Sequence, residues 1–251
     1  MTRKSKYSLL SFILLATITI VFMAIYNVSG AVTEQDNIYI KKILEEAGYD
    51  PQDIQNTENF DEQIQTILAI QNAAFHTTPE VELITLDTPR EPENLYIATA
   101  AYCGDRARFI DKALRWAGFE SRFVSIYENE PNHSFFSTML AKADGKRGMS
   151  HALVEVKTAK GWMMVDTRKF WISLTKSGDV INLKELRRHK RGVFKWSDLS
   201  KEDKYWLLDR DYYVFYGLYS RHGRFYAPYT KYIPDVNWPE FLYYNASTLL
   251  D

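Results

Sequence analysis

The only cysteine of the chain, Cys103, is the residue whose type and position point most directly to chemistry. It begins a stretch, 103–117, in which apolar residues recur at helical spacing, and Gly118 follows as a C-cap. At the first turn of a helix, unpaired N–H groups and the positive end of the macrodipole favour a thiolate, the nucleophilic form of cysteine. The amide of Cys103 could also donate to an oxyanion, and Gly104 would let the backbone approach a substrate closely. A second oxyanion donor is not assigned.

A histidine and an aspartate follow at positions that two neighbouring strands could bring to the cysteine. His151 opens an alternating stretch at 151–157, and Asp166 ends the next stretch at 162–166. If these strands pair antiparallel, the carboxylate lies beside the imidazole, fixes its tautomer and supports its protonated form. The protonated ring would in turn support the Cys103 thiolate. The spacing therefore predicts nucleophile, base and orienting residue of a cysteine enzyme.

The elements that must position these residues run as helices followed by strands. Helices are predicted at 37–47, 61–75 and 103–117, and strands at 122–127, 151–157, 162–166 and, with a weaker pattern, 170–174. Irregular connections are predicted at 77–94, which holds three prolines, and at 133–149. This order predicts an α+β domain with an antiparallel sheet.

Three blocks of the sequence resemble the transglutaminase-like superfamily of papain-type cysteine proteins. Tyr102-Cys103-Gly104-Asp105-Arg106-Ala107, with the Ala-Gly and strand that follow at 117–124, is similar to the family's cysteine segment. Residues 150–156 are similar to its histidine strand, and the Gly-Trp to Val-Asp block at 161–167 to its aspartate strand. The blocks stand in the family's order, and the resemblance covers about 95–174.

The resemblance implies a papain/transglutaminase-like core in which a catalytic helix packs on an antiparallel sheet. It implies Cys103 as nucleophile, His151 as base and Asp166 as orienting residue, with acyl transfer through a thioester. Transfer to water would make the protein an amidase or peptidase, and transfer to an amine a cross-linking enzyme; water is the default acceptor. Two alternatives remain open: a non-catalytic binding or scaffold module of an envelope or polysaccharide assembly, and a cell-wall peptidase of another papain-like type.

The N-terminus predicts a membrane anchor. Arg3, Lys4 and Lys6 precede a run without charge at 7–26, long enough to span about 30 Å of hydrocarbon as a helix. The positive flank predicts that the remainder lies outside the cytoplasm, in the periplasm or the extracellular space. The alternative is a signal peptide cleaved before Ala31, which would release the protein.

The sequence divides into four predicted regions: 1–30, a signal anchor; 31–94, helical; 95–182, the catalytic core; and 183–251, a basic and then tyrosine-rich extension packing on the core. The expected partners are a peptide, protein or envelope-polymer substrate, and the membrane through 7–26. The basic stretch 184–195 is expected to be a solvated face or a contact to anionic polymer or lipid. The oligomeric state is left open.

No cofactor, metal or nucleic-acid partner is expected. The net charge of −1 gives no overall attraction for nucleic acid. A zinc site is disfavoured because there is no second cysteine, and the histidines other than His151 lack ligand spacing. They are His76, His133, His189 and His222.

Overall fold

The computed structural model of the chain describes residues 3–80, 82, 84–129, 133–140, 149–188, 194–198 and 211–249, with side chains described between 11 and 246. The described helices are α1 (Arg3–Ile25), α2 (Glu34–Glu46), α3 (Phe60–Thr77), α4 (Pro92–Ala98), α5 (Cys103–Trp116), α6 (Phe135–Met139), α7 (Leu183–Arg188) and α8 (Trp238–Leu249). The described strands are β1 (Ser121–Glu128), β2 (Ser150–Thr158), β3 (Gly161–Val165), β4 (Tyr212–Tyr216), β5 (Leu218–Ser220) and β6 (Asp235–Val236). The predicted α+β class with an antiparallel sheet is confirmed.

The central sheet has the strand order β3-β2-β1-β4, and each neighbouring pair is antiparallel. His151 pairs with Ile126 of β1. The β2–β3 ladder ends where Val154 pairs with Val165, so Asp166 leaves β3 close to the start of β2. The register thus brings the predicted base and its partner to one end of the sheet.

Helix α5 packs its apolar stripe against β2 and α3. The stripe predicted from the sequence is buried at every position, namely Ala107, Ile110, Leu114 and Ala117. The helix ends as expected, because Gly118 adopts a φ of +91°, which a glycine reaches without steric cost. This packing fixes the axis of the helix and therefore the position of its first residue, Cys103.

Helices α2 and α3 form where the sequence predicted them, with earlier starts. The Thr33 hydroxyl accepts from the Asp36 N–H at 3.1 Å and begins α2 at Glu34. The Asn59 side chain accepts from the Asp61 N–H at 2.9 Å and begins α3. The capping residues set these boundaries more sharply than the apolar periodicity does.

Three local expectations are wrong. The end of the supposedly irregular segment 77–94 already belongs to α4, since Pro92 stands in the first helical turn, where no N–H is needed. The connection 133–149 contains the short helix α6. Residues 170–174 form no regular strand; Ile172 and Leu174 make only isolated bridges, to Val165 and Val180.

The tyrosine-rich C-terminal segment contributes a strand to the central sheet. Tyr216 of β4 pairs with Val124 of β1, and β5 pairs with β6 in a second, two-stranded sheet. Tyr212 and Tyr216 are buried in the core beside the sheet. Of the basic stretch 184–195, positions 189–193 lie outside the described residues.

Within the part of the chain that the structure describes, no helix is both long enough and apolar enough to cross a membrane. The transmembrane helix expected at 7–26 is therefore not supported by the structure.

Candidate active site

Cys103 is the first residue of α5, as the sequence predicted. Its N–H therefore has no acceptor within the helix. The backbone before it is fixed by Asp105, whose carboxylate accepts from the Tyr102 N–H at 2.8 Å. The thiol is half-buried and opens into a cleft. A partly exposed sulfur at a helix N-terminus is the setting in which cysteine reacts.

His151 and Asp166 are both buried and lie in contact. The distance from His151 Nε2 to Asp166 Oδ2 is 3.2 Å. The other carboxylate oxygen, Oδ1, accepts the backbone N–H groups of Arg168 at 2.6 Å and Lys169 at 2.8 Å. The loop after β3 therefore fixes the carboxylate, and the carboxylate fixes the ring. Because Nε2 faces Asp166, Nδ1 is the ring nitrogen left for the thiol.

The electrostatics of the site favour a thiolate–imidazolium pair. Burial acts to raise the pKa of the Cys103 thiol, but the hydrogen bond and charge of His151 and the N–H of Ala152 outweigh it and lower the pKa. Burial alone would lower the pKa of His151, but the charge and hydrogen bond of Asp166, with the neighbouring Cys103, raise it to about 10. The structure thus brings all three predicted site residues together.

Two polar residues that the sequence reasoning missed hold this site in place. Gln71, on the buried face of α3, donates to the backbone oxygens of Asp166 at 2.8 Å and Trp171 at 2.9 Å. Arg106, one turn after Cys103, donates from Nη1 to the Thr167 oxygen at 3.2 Å. A glutamine next to the apolar residues Ile67, Ile70 and Ala74 of α3 is the signal that could have identified Gln71, since a buried amide needs partners.

The cleft at Cys103 has a volume of about 220 Å³ and two walls. The catalytic wall consists of residues 102–105 and 150–152. The C-terminal wall is formed by the segment 219–225, which begins in strand β5 and continues beyond its end. Strand β1 adds Ser125 and Tyr127 between them. The C-terminal wall was not predicted, because its sequence has neither helical nor strand periodicity.

The Phe225 ring bounds the space next to Gly104. A Cβ atom at this position would lie 3.7 Å from the Phe225 ring, an ordinary van der Waals distance. The protein itself therefore has room for alanine here, and any need for glycine would come from a bound substrate.

A larger cavity of about 410 Å³ lies away from the three catalytic candidates. Arg108 and Lys112 line it, and both are paired with Glu91, while Lys112 also contacts Asp36. These buried charges satisfy one another, so we place the candidate active site at the smaller cleft. Among the described residues, no group of three or more His, Cys, Asp and Glu side chains is arranged to hold a metal ion.

Comparison with protein families agrees with this geometry. Residues 52–167 match the family model of the transglutaminase-like superfamily. The match begins before α3, earlier than the resemblance noted from residue 95, and ends directly after Asp166, so it includes the three candidate residues. No curated protein matches the chain. The chain therefore contains, at residues 52–167, a domain of the transglutaminase-like superfamily.

Proposed function

We propose that the protein is a cysteine-dependent enzyme that cleaves an amide bond by acyl transfer, with Cys103, His151 and Asp166 as its catalytic residues. The observation that carries the proposal is their convergence. Cys103 is partly buried at a helix N-terminus and lines a cleft, its thiol is hydrogen-bonded to the His151 imidazole, and the imidazole contacts the Asp166 carboxylate at 3.2 Å. Nucleophilic catalysis requires this set of groups in this order.

The first half of the proposed reaction forms a thioester. The Cys103 thiolate attacks the amide carbon, and the N–H of Cys103 donates to the oxygen that becomes negative. The imidazolium of His151 gives its proton to the leaving nitrogen, so that the C–N bond breaks and an amine departs. Asp166 holds the ring and stabilises its positive charge before the transfer.

The second half transfers the acyl group from sulfur to an acceptor. His151, now neutral, takes a proton from the acceptor, which attacks the thioester and releases the Cys103 thiolate. Water is the proposed acceptor, which makes the enzyme an amidase or peptidase. Turnover of an amide substrate with a fluorescent primary amine present distinguishes the two cases: a cross-linking enzyme would attach the fluorophore to the acyl product.

Reaction with a thiol reagent tests the proposal directly, because the chain has a single cysteine. Iodoacetamide should label the protein once and much faster than it labels free cysteine at pH 7, since the pKa of the thiol is lowered. Alanine at Cys103 should abolish both labelling and amide turnover without loss of folding. Turnover retained by Cys103→Ala would refute the mechanism.

The main alternative is a binding or scaffold module that keeps the fold without catalysis. Such a module would be labelled at Cys103 at the ordinary rate of an unactivated thiol, and replacing His151 would change little. The second alternative, a peptidase of another papain-like type, would place a different polar residue behind the imidazole. The contact between His151 and Asp166 favours the transglutaminase-like mechanism instead.

We also propose that the domain acts outside the cytoplasm. The proposal is supported by three basic residues, Arg3, Lys4 and Lys6, before the uncharged run 7–26. A protease added to the outside of intact cells or spheroplasts should digest the domain. Digestion only after the inner membrane is broken would contradict this location.

A further inference from the structure

The C-terminal wall brings two arginines into the cleft beside Cys103. Arg221 and Arg224 both line the cleft and both are half-buried. Nothing in the catalytic chemistry proposed above uses them. Because both line the cavity of the nucleophile, an anionic group of a bound ligand would face them.

The position of Arg221 is fixed by its neighbours. One guanidinium nitrogen donates to the Thr138 oxygen of α6 at 3.2 Å, and the guanidinium lies 4.1 Å from the centre of the Tyr127 ring. Neither contact neutralises its charge. A guanidinium held in this way keeps further N–H donors for a ligand.

The backbone of Arg224 is held by a hydrogen bond from Asp87. Its carbonyl oxygen accepts from the Asp87 N–H at 2.8 Å. Across the described part of the chain, the guanidinium groups of Arg221 and Arg224 form no ion pair with any carboxylate. The wall therefore presents two cationic groups to the cleft.

The carboxylates near the cleft are already engaged elsewhere. Asp105 is buried, contacts Arg90 at 2.9 Å and caps α5. Asp235 is buried behind the C-terminal wall, where it accepts the Phe225 N–H at 3.2 Å. Each is turned toward its own partner, so the charge that the described residues present to a ligand in the cleft is positive.

An apolar surface lies next to these charges. The Phe225 ring stands opposite Gly104, the residue after the nucleophile, and the Arg90 guanidinium lies 4.4 Å from the ring centre. The ring lines the same cleft as Cys103 and the two arginines, so a chain bound there would meet both an apolar surface and cationic groups. The combination fits a short aliphatic chain that ends in an anion.

We propose that the cleft selects an acyl donor with a carboxylate near the attacked amide, as in an acidic peptide, and that Arg221 and Arg224 bind this carboxylate. The guanidinium fork matches a carboxylate with two parallel hydrogen bonds. This inference rests on the proposed function, since it names the substrate class of the same site.

A pair of alkylating reagents of nearly equal size tests the inference on the full chain. Iodoacetate carries a carboxylate and iodoacetamide is neutral, and both react with the same thiolate. The ratio of their rates at Cys103 therefore cancels any change in thiol ionisation. We take the rate with iodoacetate over the rate with iodoacetamide, and divide it by the same ratio for free cysteine. This normalised ratio should exceed one in the natural protein. It should fall about three- to fivefold in Arg224→Gln and in Arg221→Gln.

Two further variants separate charge from other effects. Arg224→Lys keeps the positive charge and should keep most of the preference for iodoacetate. Arg188→Gln removes an exposed arginine of α7 outside the cleft and should leave the ratio unchanged. A ratio of one or less in the natural protein, or an equal fall in Arg188→Gln, would overturn the inference.

The outcomes also separate this inference from the proposed function. Slow labelling by both reagents would refute the catalytic proposal. Fast labelling by both, with a ratio that the arginines do not affect, would leave the catalytic proposal intact and refute the carboxylate site alone.

Two sources of the carboxylate can be distinguished by protection against iodoacetamide. Acetyl-glutamate α-amide offers a side-chain carboxylate, acetyl-glutamine offers a terminal one, and acetyl-glutamine amide offers none. Protection by one acid that is lost in Arg224→Gln would support the site and identify the source. Equal protection by the neutral compound, or protection by neither acid up to its solubility limit, would overturn it.

Discussion

The two walls of the cleft are built in different ways. The catalytic wall is carried by regular elements, with Cys103 on a helix and His151 on a central strand, and it lies inside the matched family domain. The C-terminal wall begins in the short strand β5 and continues as an irregular segment, in which the Phe225 N–H donates to the Asp235 carboxylate, and it lies outside that domain. In the proposed enzyme, the regular elements would position the reacting groups, and the C-terminal segment would determine which substrate binds.

Replacing His151 should produce the largest effect and should act on the catalytic wall alone. Without the imidazole, the pKa of Cys103 loses the interactions that lower it, and the leaving amine loses its proton donor. We expect His151→Ala to lose amide turnover by about 10²–10⁴-fold. Iodoacetamide labelling at pH 7 should slow by about tenfold or more. His76→Ala, at an exposed end of α3, is the control; similar losses in both would contradict the assigned role.

Asp166→Asn should lower the upper pH limit of amide turnover. The carboxylate raises the pKa of His151 to about 10, so the charged pair persists from the lowered pKa of Cys103 up to that value. Without this negative charge, the pKa of His151 falls. The ring then loses its proton at a lower pH than in the natural protein. We expect about a ten- to hundredfold loss of amide turnover at pH 8, read from the pH–rate profile of turnover, because the imidazolium must protonate the leaving nitrogen. An unchanged alkaline limb would show that Asp166 does not act through the ring.

Gly223→Ala should damage the C-terminal wall and leave the catalytic wall in place. Gly223 has a φ of +57°, and a Cβ atom there would lie 2.4 Å from the Ile233 oxygen and 2.9 Å from the Thr230 oxygen. We expect a loss of about 2 kcal/mol or more in the free energy of unfolding, measured by chemical denaturation. The preference for iodoacetate over iodoacetamide should fall as well.

Gly48→Ala is the matched control for this variant. Gly48 also has a positive φ, +87°, but no atom lies within 4 Å of the added Cβ. It should therefore lose only about 1 kcal/mol, from backbone strain, and keep the reagent preference. Equal losses in the two variants would show that the close contacts around Gly223 do not hold the wall.

Gly104→Ala should have the smallest effect, at the point where the two walls meet. The added methyl group would touch the Phe225 ring at 3.7 Å, so we expect the free energy of unfolding to change by less than about 1 kcal/mol. Iodoacetamide should still label Cys103. A large loss of stability would show that the walls are packed more tightly than this distance indicates.

The sequence predicted the catalytic wall well because its signals are local. The buried stripe of α5, the C-cap at Gly118 and the alternation of β2 each arise from neighbouring residues, and they place Cys103 and His151 without knowledge of the rest. Asp166 followed from the expected pairing of β2 with β3. Buried residues recur about every 3.6 positions in a helix and every second position in a strand. These elements can therefore be predicted from one sequence.

The C-terminal wall could not be predicted because distant contacts position it. Arg221 reaches the cleft only because β4 pairs with β1 and β5 pairs with β6. Pairing between strands that are far apart in the chain produces no periodic pattern in the local sequence. The apolar residues at 170–174 suggested a strand for a related reason: Ile172 is fully buried by packing, but it pairs with Val165 only through an isolated bridge.

The buried amide of Gln71 has a consequence for the smallest fragment that could work. It ties α3 to the loop that presents Asp166, from a position well before the three sequence blocks that resemble the family. A shortened protein starting at Leu95 would keep every reactive group but would lose the hydrogen bonds that Gln71 donates to the backbone oxygens of Asp166 and Trp171. A shortened protein should therefore begin before Phe60, so that it keeps α3 and Gln71. The N-terminal boundary of the required region is set by the amide of Gln71, which does not line the cleft.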